Sequence, residues 1–139
     1  GMAIDVCARV LIDGAAQGRV LRLSQPISFW GGVDPANGLI AQPLHPNFGA
    51  EIAGTILALP GMIGSSSSSA IMLELLHNDV APAALVMAEV DAILGLGVVA
   101  AEEIGLNGIP VLQCPIDAFV SGHVATISRG GGIRLGGTG

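Results

Sequence analysis

Five consecutive serines, residues 65–69, are the part of the sequence whose residue types are best suited to chemistry. They stand in "PGMIGSSSSSAIMLELL" (residues 60–76), between a glycine turn and an apolar stretch. Serine hydroxyls can cap the first N–H groups of a helix, and the free N–H groups with the helix dipole favour an anion or a developing alkoxide. We predict that the run begins a helix and binds a ligand there. Any single serine can still be only a cap or small filler.

The elements that would position this run alternate between strands and helices. Buried strands are predicted at residues 55–61, 83–89 and 109–114, and helices at residues 69–79 and 91–105. This β-α-β-α-β order predicts a parallel core of three strands with right-handed crossovers. The serines then follow the carboxyl end of a parallel strand, which is where open α/β sheets bind ligands.

The rest of the chain predicts a second β layer. Residues 6–12 and 18–23 alternate imperfectly around "DGAAQ", a predicted hairpin connection, and the tail "HVATISRGGGIRL" returns to strand-like alternation with a triple-glycine break. Residues 39–54 are predicted as a loop, because Pro43 and Pro46 leave no room for a long regular element. The expected fold is therefore a mixed α/β domain, with an antiparallel or barrel-like β layer packed on a parallel sheet that helices cover.

Composition excludes several classes of protein. The chain has 139 residues, the length of one domain, and we treat residues 1–139 as such, with Gly1 ahead of Met2 as a tag-cleavage remnant. Hydrophobic residues make up 51% and charged residues 12%, which is unlike a disordered chain. The net charge is −6, lysine is absent and the five arginines are scattered, which argues against nucleic acid.

Membrane association and export are not expected either. Gly, Pro, Asp or Glu interrupts the apolar runs every few positions, whereas a spanning helix needs about 20 apolar residues. The N-terminus shows no basic stretch followed by an apolar segment, so no signal peptide is recognised. We therefore expect a cytoplasmic protein.

The cysteines, the tryptophan and two histidines are weaker candidates. Cys7 and Cys114 are far apart in sequence and are expected to be buried thiols, too few for a metal or iron–sulfur site. Trp30 is the single tryptophan and is expected either in the core or as an interface anchor. His45 stands in a loop, where a functional role is open, and His77 is expected at a helix C-terminus, near the last carbonyl groups.

Two segments carry a resemblance to a known family. "PISFWGGVDPANGLIAQPLHPNFG" (residues 26–49) and "LALPGMIGSSSSSAIMLELL" (residues 57–76) together resemble the small subunit, or swivel domain, of the aconitase X family. The combination of F-W-G-G-x-D-P and H-P with P-G-x-x-G-S-S-S is far more specific than either piece alone. The family is similar to the swivelling β/β/α three-layer domains of aconitase and of the isopropylmalate isomerase small subunit.

The resemblance implies a hydro-lyase built from two chains. In such enzymes a large subunit holds an iron–sulfur cluster and the swivel domain closes over the substrate. The cluster ligands are therefore expected on the large aconitase X subunit, and this chain is expected to be inactive alone. The chemistry implied is dehydration of a small hydroxy acid, first cis-3-hydroxy-L-proline, or alternatively 5-phosphomevalonate. A base removes the acidic proton, and a Lewis-acid iron takes the departing hydroxyl.

Roles for the serine run also follow from the resemblance. The aconitase loop reads G-S-S-R-E, and its first serine is the base. Gly64, Ser65 and Ser66 match the first three positions, so Ser65 is implied as the catalytic base, and Gly64, Ser66 and Ser67 as substrate-binding residues. Ser67 and Ser68 stand where aconitases have Arg and Glu, so the motif lacks their substrate-carboxylate arginine. This departure disfavours a tricarboxylate substrate.

Other classes of function remain open from the sequence. A stand-alone domain that binds a small anion, or a regulatory domain, could use the same serine-capped helix without any chemistry. A phosphotransfer swivel domain is disfavoured, because no histidine stands in a Gly/Thr-rich catalytic turn. Scarce arginine and absent lysine also lean against a phosphate-bearing substrate, although a partner chain could supply charge.

Overall fold

The computed structural model describes residues 3–61, 67–90 and 109–136. These residues form eight strands, one regular helix and one short kinked helical turn, which is labelled α1. In chain order they are β1 Ile4–Cys7, β2 Arg9–Ile12, β3 Ala16–Arg22, α1 Phe29–Gly32, β4 Ile56–Leu59, α2 Ser67–His77, β5 Ala84–Met87, β6 Val111–Gln113, β7 Val124–Ser128 and β8 Gly132–Leu135. The predicted helix at residues 91–105 lies outside the described residues.

The strands form one mixed sheet in the order β1-β8-β7-β3-β4-β5-β6-β2. Strands β3, β4, β5 and β6 run parallel to one another, and the remaining pairs are antiparallel. Ile56 of β4 faces Ala84 of β5, and Leu85 of β5 faces Val111 of β6. The predicted parallel order of β4, β5 and β6 is confirmed. Apolar strands of this kind suit a parallel sheet, because both of its faces are covered.

Two bent segments bring the ends of the sheet together. Only Ala8 separates β1 from β2, yet β1 pairs with β8 and β2 pairs with β6, at opposite ends of the strand order. Strand β3 likewise changes partner along its length, pairing through Ala16–Arg19 with β7 and through Val20–Arg22 with β4. The sheet is therefore nearly barrel-like.

The predicted hairpin around "DGAAQ" is wrong. Strand β2 pairs with β6, and β3 pairs with β7 and β4, so the two predicted hairpin strands are not partners. The carboxylate of Asp13 accepts hydrogen bonds from the N–H groups of Gly14 and Gly130, both at 2.9 Å. These bonds tie the connection to the turn between β7 and β8, so the chain crosses between sheet regions at this point.

Alternating side chains of the parallel strands enter two separate apolar clusters. Ile56 and Ala58 pack with side chains of the antiparallel strands, such as Ile127 and Ile133. The neighbouring Leu57 and Leu59 face the opposite cluster, which also contains Ile71, Met72 and Leu75 of α2. Because each fully buried leucine or isoleucine contributes about 1.5–3 kcal/mol, this face fixes α2 firmly against the parallel strands.

The triple glycine forms the turn between β7 and β8 and also anchors the bend at Ala8. Gly131 has φ +91°, and a Cβ atom at this position would overlap the carbonyl oxygen of Ala8. The Ala8 N–H donates to the carbonyl oxygen of Gly131 at 2.8 Å. Glycine therefore allows the hairpin to approach the point where the first strand changes partner.

The loop predicted at residues 39–54 is confirmed. It contains turns and two isolated bridges, Val33 with Ile40 and Leu39 with Glu51. No helix among the described residues is long and apolar enough to span a lipid bilayer.

Candidate functional site

The candidate site lies at the edge where the parallel strands end. Strands β3 to β6 share one direction, so their carboxyl ends and the segments that follow them lie together. Pro60 and Gly61 follow β4, and the next described residue, Ser67, begins α2. Residues 60–66, which we call the serine connection, follow β4 in the chain, and Ser67 to Ser69 form the start of α2, in agreement with the predicted helix N-terminus.

The predicted site residues fall mostly outside the described part of the chain. Gly64, Ser65 and Ser66 lie outside it, and Ser67 is described only as the first residue of α2. The catalytic role of Ser65 and the substrate-binding roles of Gly64, Ser66 and Ser67 therefore stay predictions. The structure describes strand β4 before these residues and helix α2, which begins at Ser67.

Helix α2 is well suited to hold its N-terminus in place. Ile71, Met72 and Leu75 recur at helical spacing and are buried against the parallel strands. The helix ends at the exposed His77, and Asp79 follows with φ +59°. The Val80 N–H donates to the carbonyl oxygen of Leu75 at 2.9 Å, which is the hydrogen bond of a Schellman C-cap.

A cavity of about 420 Å³ opens beside Pro60. Its lining comprises Arg22, Leu23, Ser24, Pro60, Ile116, Phe119, Val120 and Ser121. Arg22 is the last residue of β3, and its Cα faces that of Ala58 in β4. A guanidinium and two serines thus stand beside apolar side chains in a shallow depression that opens to solvent.

Arg22 is the functional candidate that sequence reasoning missed. In the sequence it is one of five scattered arginines, and nothing around it forms a motif. Its position matters only because β3 pairs with β4 at the edge where the serine connection begins. The signal that could have found it is its place at the end of the predicted strand 18–23, two residues before Ser24 and the turn that contains Pro26.

The F-W-G-G segment forms a turn that exposes its tryptophan. Phe29 is fully buried, whereas Trp30 is 64% exposed and Gly31 adopts φ +77°. The expectation that Trp30 lies in the core is therefore wrong. The turn directs Phe29 inward and leaves Trp30 in solvent. An interface role for Trp30 stays a prediction. Leu44 and Phe48 of the following loop are also exposed.

His45 holds that loop in place and has no ring nitrogen left for chemistry. It is buried at 4% exposure, and its Nδ1 accepts the N–H of Asn47 at 3.0 Å. Nε2 therefore carries the hydrogen, and it lies 3.2 Å from the carbonyl oxygen of Gln25. Both ring nitrogens are bound to the backbone, so His45 acts in the loop structure.

The chain's own donors do not fit an iron–sulfur cluster. Cys114 is buried in the cluster between the sheet regions, and this burial raises the pKa of its thiol. Cys7 is exposed on β1, so the expectation that both thiols are buried is wrong for this one. Within the described ranges, no three His, Cys, Asp or Glu side chains are grouped to hold a metal. Two separated cysteines cannot supply the thiolates that such a cluster needs.

Comparison with known proteins decides the family. The profile of the family "Aconitase X swivel domain" matches residues 5–135. The chain belongs to the aconitase X swivel domain family. This confirms the resemblance carried by the F-W-G-G and G-S-S-S segments.

Relatives of this aconitase X swivel domain occur in two arrangements. Cis-3-hydroxy-L-proline dehydratase of Pseudomonas aeruginosa is 40% identical over 106 residues, which are 76% of this chain but only 18% of that enzyme. The phosphomevalonate dehydratase small subunit of Methanothermobacter thermautotrophicus is 35% identical over 112 residues, 81% of each chain. The chain thus spans less than a fifth of the first relative and most of the second.

A solved structure shows the same fold. The crystal structure of Thermococcus kodakaraensis aconitase X in its holo form contains a chain that superposes with a TM-score of 0.83 at 27% identity. The match covers 95% of this aconitase X swivel domain and 98% of that chain. The nearly barrel-like mixed sheet is therefore the fold of an aconitase X chain of similar length.

Proposed function

We propose that this chain is the swivel subunit of an aconitase X-type hydro-lyase that dehydrates a small hydroxy acid. The observation that carries the proposal is the serine run, which follows parallel strand β4 and includes the first residues of helix α2, within the segment that matches the family. Helix N-termini beside parallel strand ends favour anionic ligands and developing negative charge. The partner is a large aconitase X subunit, and the cluster belongs to that subunit.

In this proposal Ser65 removes the proton from the substrate carbon. A serine hydroxyl is a poor base at its free pKa, so it needs stabilisation of the charge that it develops. The N-terminal N–H groups of α2 and the dipole of this eleven-residue helix supply part of it. Gly64 allows a close turn, while Ser66 and Ser67 donate hydrogen bonds to the substrate.

The same proposal includes a swivelling motion of the domain. With three layers, β/β/α, the domain would close its strand-end edge over a substrate held on the large subunit. Closure would expel water from around Ser65, and charge interactions strengthen when water is excluded. The exposed Trp30, Leu44 and Phe48 lie on segments that follow β3, where a covering subunit would remove them from water.

The first substrate that we propose is cis-3-hydroxy-L-proline. It is supported by the 40% identity to a dehydratase of that name and by the few cations in the chain, which suit a carboxylate better than a phosphate. The second candidate is 5-phosphomevalonate. It is favoured by the relatives named phosphomevalonate dehydratase small subunit, whose own lengths this chain largely spans.

Reconstitution tests the proposal directly. The chain is mixed with a cluster-loaded large aconitase X subunit under anaerobic conditions, and loss of each hydroxy acid is followed. We expect turnover of one of the two acids by the mixture and none by either protein alone. Turnover by this chain without the large subunit would contradict the two-subunit proposal, and an inactive mixture with both acids would contradict the hydro-lyase function.

A further inference from the structure

We propose that Arg22 binds the carboxylate of the substrate in the cavity beside the serine connection. The inference rests on the proposed function, because it assigns a residue to the same reaction. The serine run offers hydroxyls and backbone N–H groups but no cation, and a carboxylic acid substrate brings a full negative charge to this edge. A guanidinium is the side chain best shaped to bind a carboxylate through two parallel hydrogen bonds.

Arg22 lies on β3, the strand next to β4, and close to the carboxyl end of β4. Its Cα faces that of Ala58, two residues before Pro60, and Pro60 lines the same cavity. Val20, on the same face of β3, is buried in the cluster between the sheet regions. Arg22 therefore lies at the edge of that apolar cluster. There its aliphatic stem can pack against apolar side chains while its guanidinium contacts a ligand.

Protein contacts orient the guanidinium from one side. Nη1 of Arg22 donates to the carbonyl oxygens of Asp117 and Phe119 at 3.2 and 3.3 Å. The Arg22 N–H donates to Oγ of Ser121 at 2.8 Å, which fixes the backbone and leaves the Ser121 hydroxyl hydrogen for another acceptor. In the part of the chain that the structure describes, no carboxylate pairs with Arg22, so its charge is not neutralised there.

The other arginines are poor candidates for this role. Arg134 pairs with Asp5, and Arg19 lies three residues before the end of β3, away from the edge where the parallel strands end. Arg129 directly follows β7, which is antiparallel to β3, so it lies at the opposite edge of the sheet from Arg22. Arg9 also lies at the strand-end edge, where it faces Gln113, but β2 is three strands away from β4. At about 4.8 Å between neighbouring strands, β2 lies about 14 Å from β4 along the strand order, whereas β3 is adjacent to β4.

The test compares variants at two arginine positions in the reconstituted two-subunit enzyme. Steady-state kinetics with cis-3-hydroxy-L-proline and 5-phosphomevalonate are measured for wild type, Arg22→Gln, Arg22→Lys and Arg9→Gln. We expect Arg22→Gln to raise KM for the accepted acid about 10- to 100-fold with little change in kcat, since a lost charge-assisted hydrogen bond weakens binding by that order. Arg22→Lys should recover part of the loss, and Arg9→Gln should behave as wild type.

A second substrate form separates binding from folding. The carboxamide of the accepted acid lacks the negative charge, so wild type should prefer the acid, and Arg22→Gln should lose that preference. Circular dichroism and the thermal midpoint identify a variant that has lost its fold, and the acid-to-amide ratio of the folded fraction still reports the contact. An unchanged ratio and KM in Arg22→Gln overturn this assignment while the proposed function stands. A wild-type complex that dehydrates neither acid overturns both.

Discussion

Polar groups have different partners in the parallel and the antiparallel regions of the sheet. At the carboxyl ends of β3 to β6, Arg22 and Ser24 line a cavity next to the start of the serine connection. In the antiparallel region, polar groups bind one another: Arg134 donates to Asp5 and Gly130 donates to Asp13. Parallel strands bring all their connecting segments to the same two edges, whereas a hairpin closes on itself. The guanidinium at the parallel edge therefore has no carboxylate partner among the described residues, whereas the charged groups of the antiparallel region are used within the fold.

The largest expected effect comes from the parallel edge. Ser65→Ala in the reconstituted enzyme should reduce kcat by about 10²- to 10⁴-fold with little change in KM, because the base acts in the transition state and binds substrate weakly. Steady-state kinetics at saturating substrate measure the effect, with the fold checked by circular dichroism.

Two serines of the same run provide the control. Ser68→Ala and Ser69→Ala alter positions inside the first turn of α2 and should cost far less activity. A near-normal kcat for Ser65→Ala with a large loss at Ser66 or Ser67 would move the base along the run. Near-normal kcat for all five single variants would leave the run as a capping segment only.

The second effect concerns the closure of the antiparallel region. Gly131→Ala should lower the free energy of unfolding by about 3 kcal/mol, from backbone strain at positive φ and from overlap with the Ala8 carbonyl. Gly130 has nearly the same φ, +92°, but a Cβ atom there would meet open space, so Gly130→Ala should cost only about 1–2 kcal/mol. Urea unfolding of both variants measures the difference. Equal losses would show that the contact with Ala8 does not hold the bend.

The third effect is on partner affinity. Trp30→Ala should change the stability of the isolated chain by less than about 0.5 kcal/mol, because the side chain is 64% exposed. If the large subunit covers it, affinity should fall by about 2 kcal/mol or more. Ile4→Ala is the matched control, since Ile4 is 50% exposed on β1 at the antiparallel end. Calorimetric titration of both variants against the large subunit decides, and equal affinities would exclude Trp30 from the interface.

Local patterns explain which elements could be predicted from the sequence. Strands β4, β5 and β6 are continuous apolar runs, and α2 follows a strand with Leu, Met and Glu at helical density, so nearby residues define each of them. The pairing of Arg9 with Gln113 joins residues about one hundred positions apart, and no local signal records it. For this reason the hairpin prediction failed.

The same limit applies to the site. The serine run was found because five identical residues at a strand-to-helix connection are visible in the sequence alone. Arg22 could not be found in this way, because its relevance depends on β3 lying beside β4. Whether Trp30 lies in the core or on the surface could not be predicted, for a third reason. A lone aromatic residue in a glycine turn can face either side, and the positive φ of Gly31 decides which.

The smallest effect compares two carboxylates of the antiparallel region as the pH falls. The hydrogen bonds and charge of Arg134 lower the pKa of Asp5, and hydrogen bonding from the Gly130 N–H lowers the pKa of Asp13. Each native pKa is depressed, so each carboxylate stabilises the fold above the ordinary Asp pKa of about 3.9 and loses that contribution as the pH falls through its native pKa.

Salt should separate the two carboxylates. The Asp5–Arg134 pair is exposed, and about 1 M NaCl shortens the screening length to about 3 Å, so the effect of Asp5→Asn on stability should vanish in salt. Asp13 accepts hydrogen bonds from two backbone N–H groups at 2.9 Å, and alanine removes the acceptor, so the effect of Asp13→Ala should persist in salt. Urea midpoints measured from about pH 7 down to about pH 2, in low and high salt, distinguish them. If the effect of Asp13→Ala is screened as strongly as that of Asp5→Asn, the backbone hydrogen bonds of Asp13 contribute no more than the exposed ion pair.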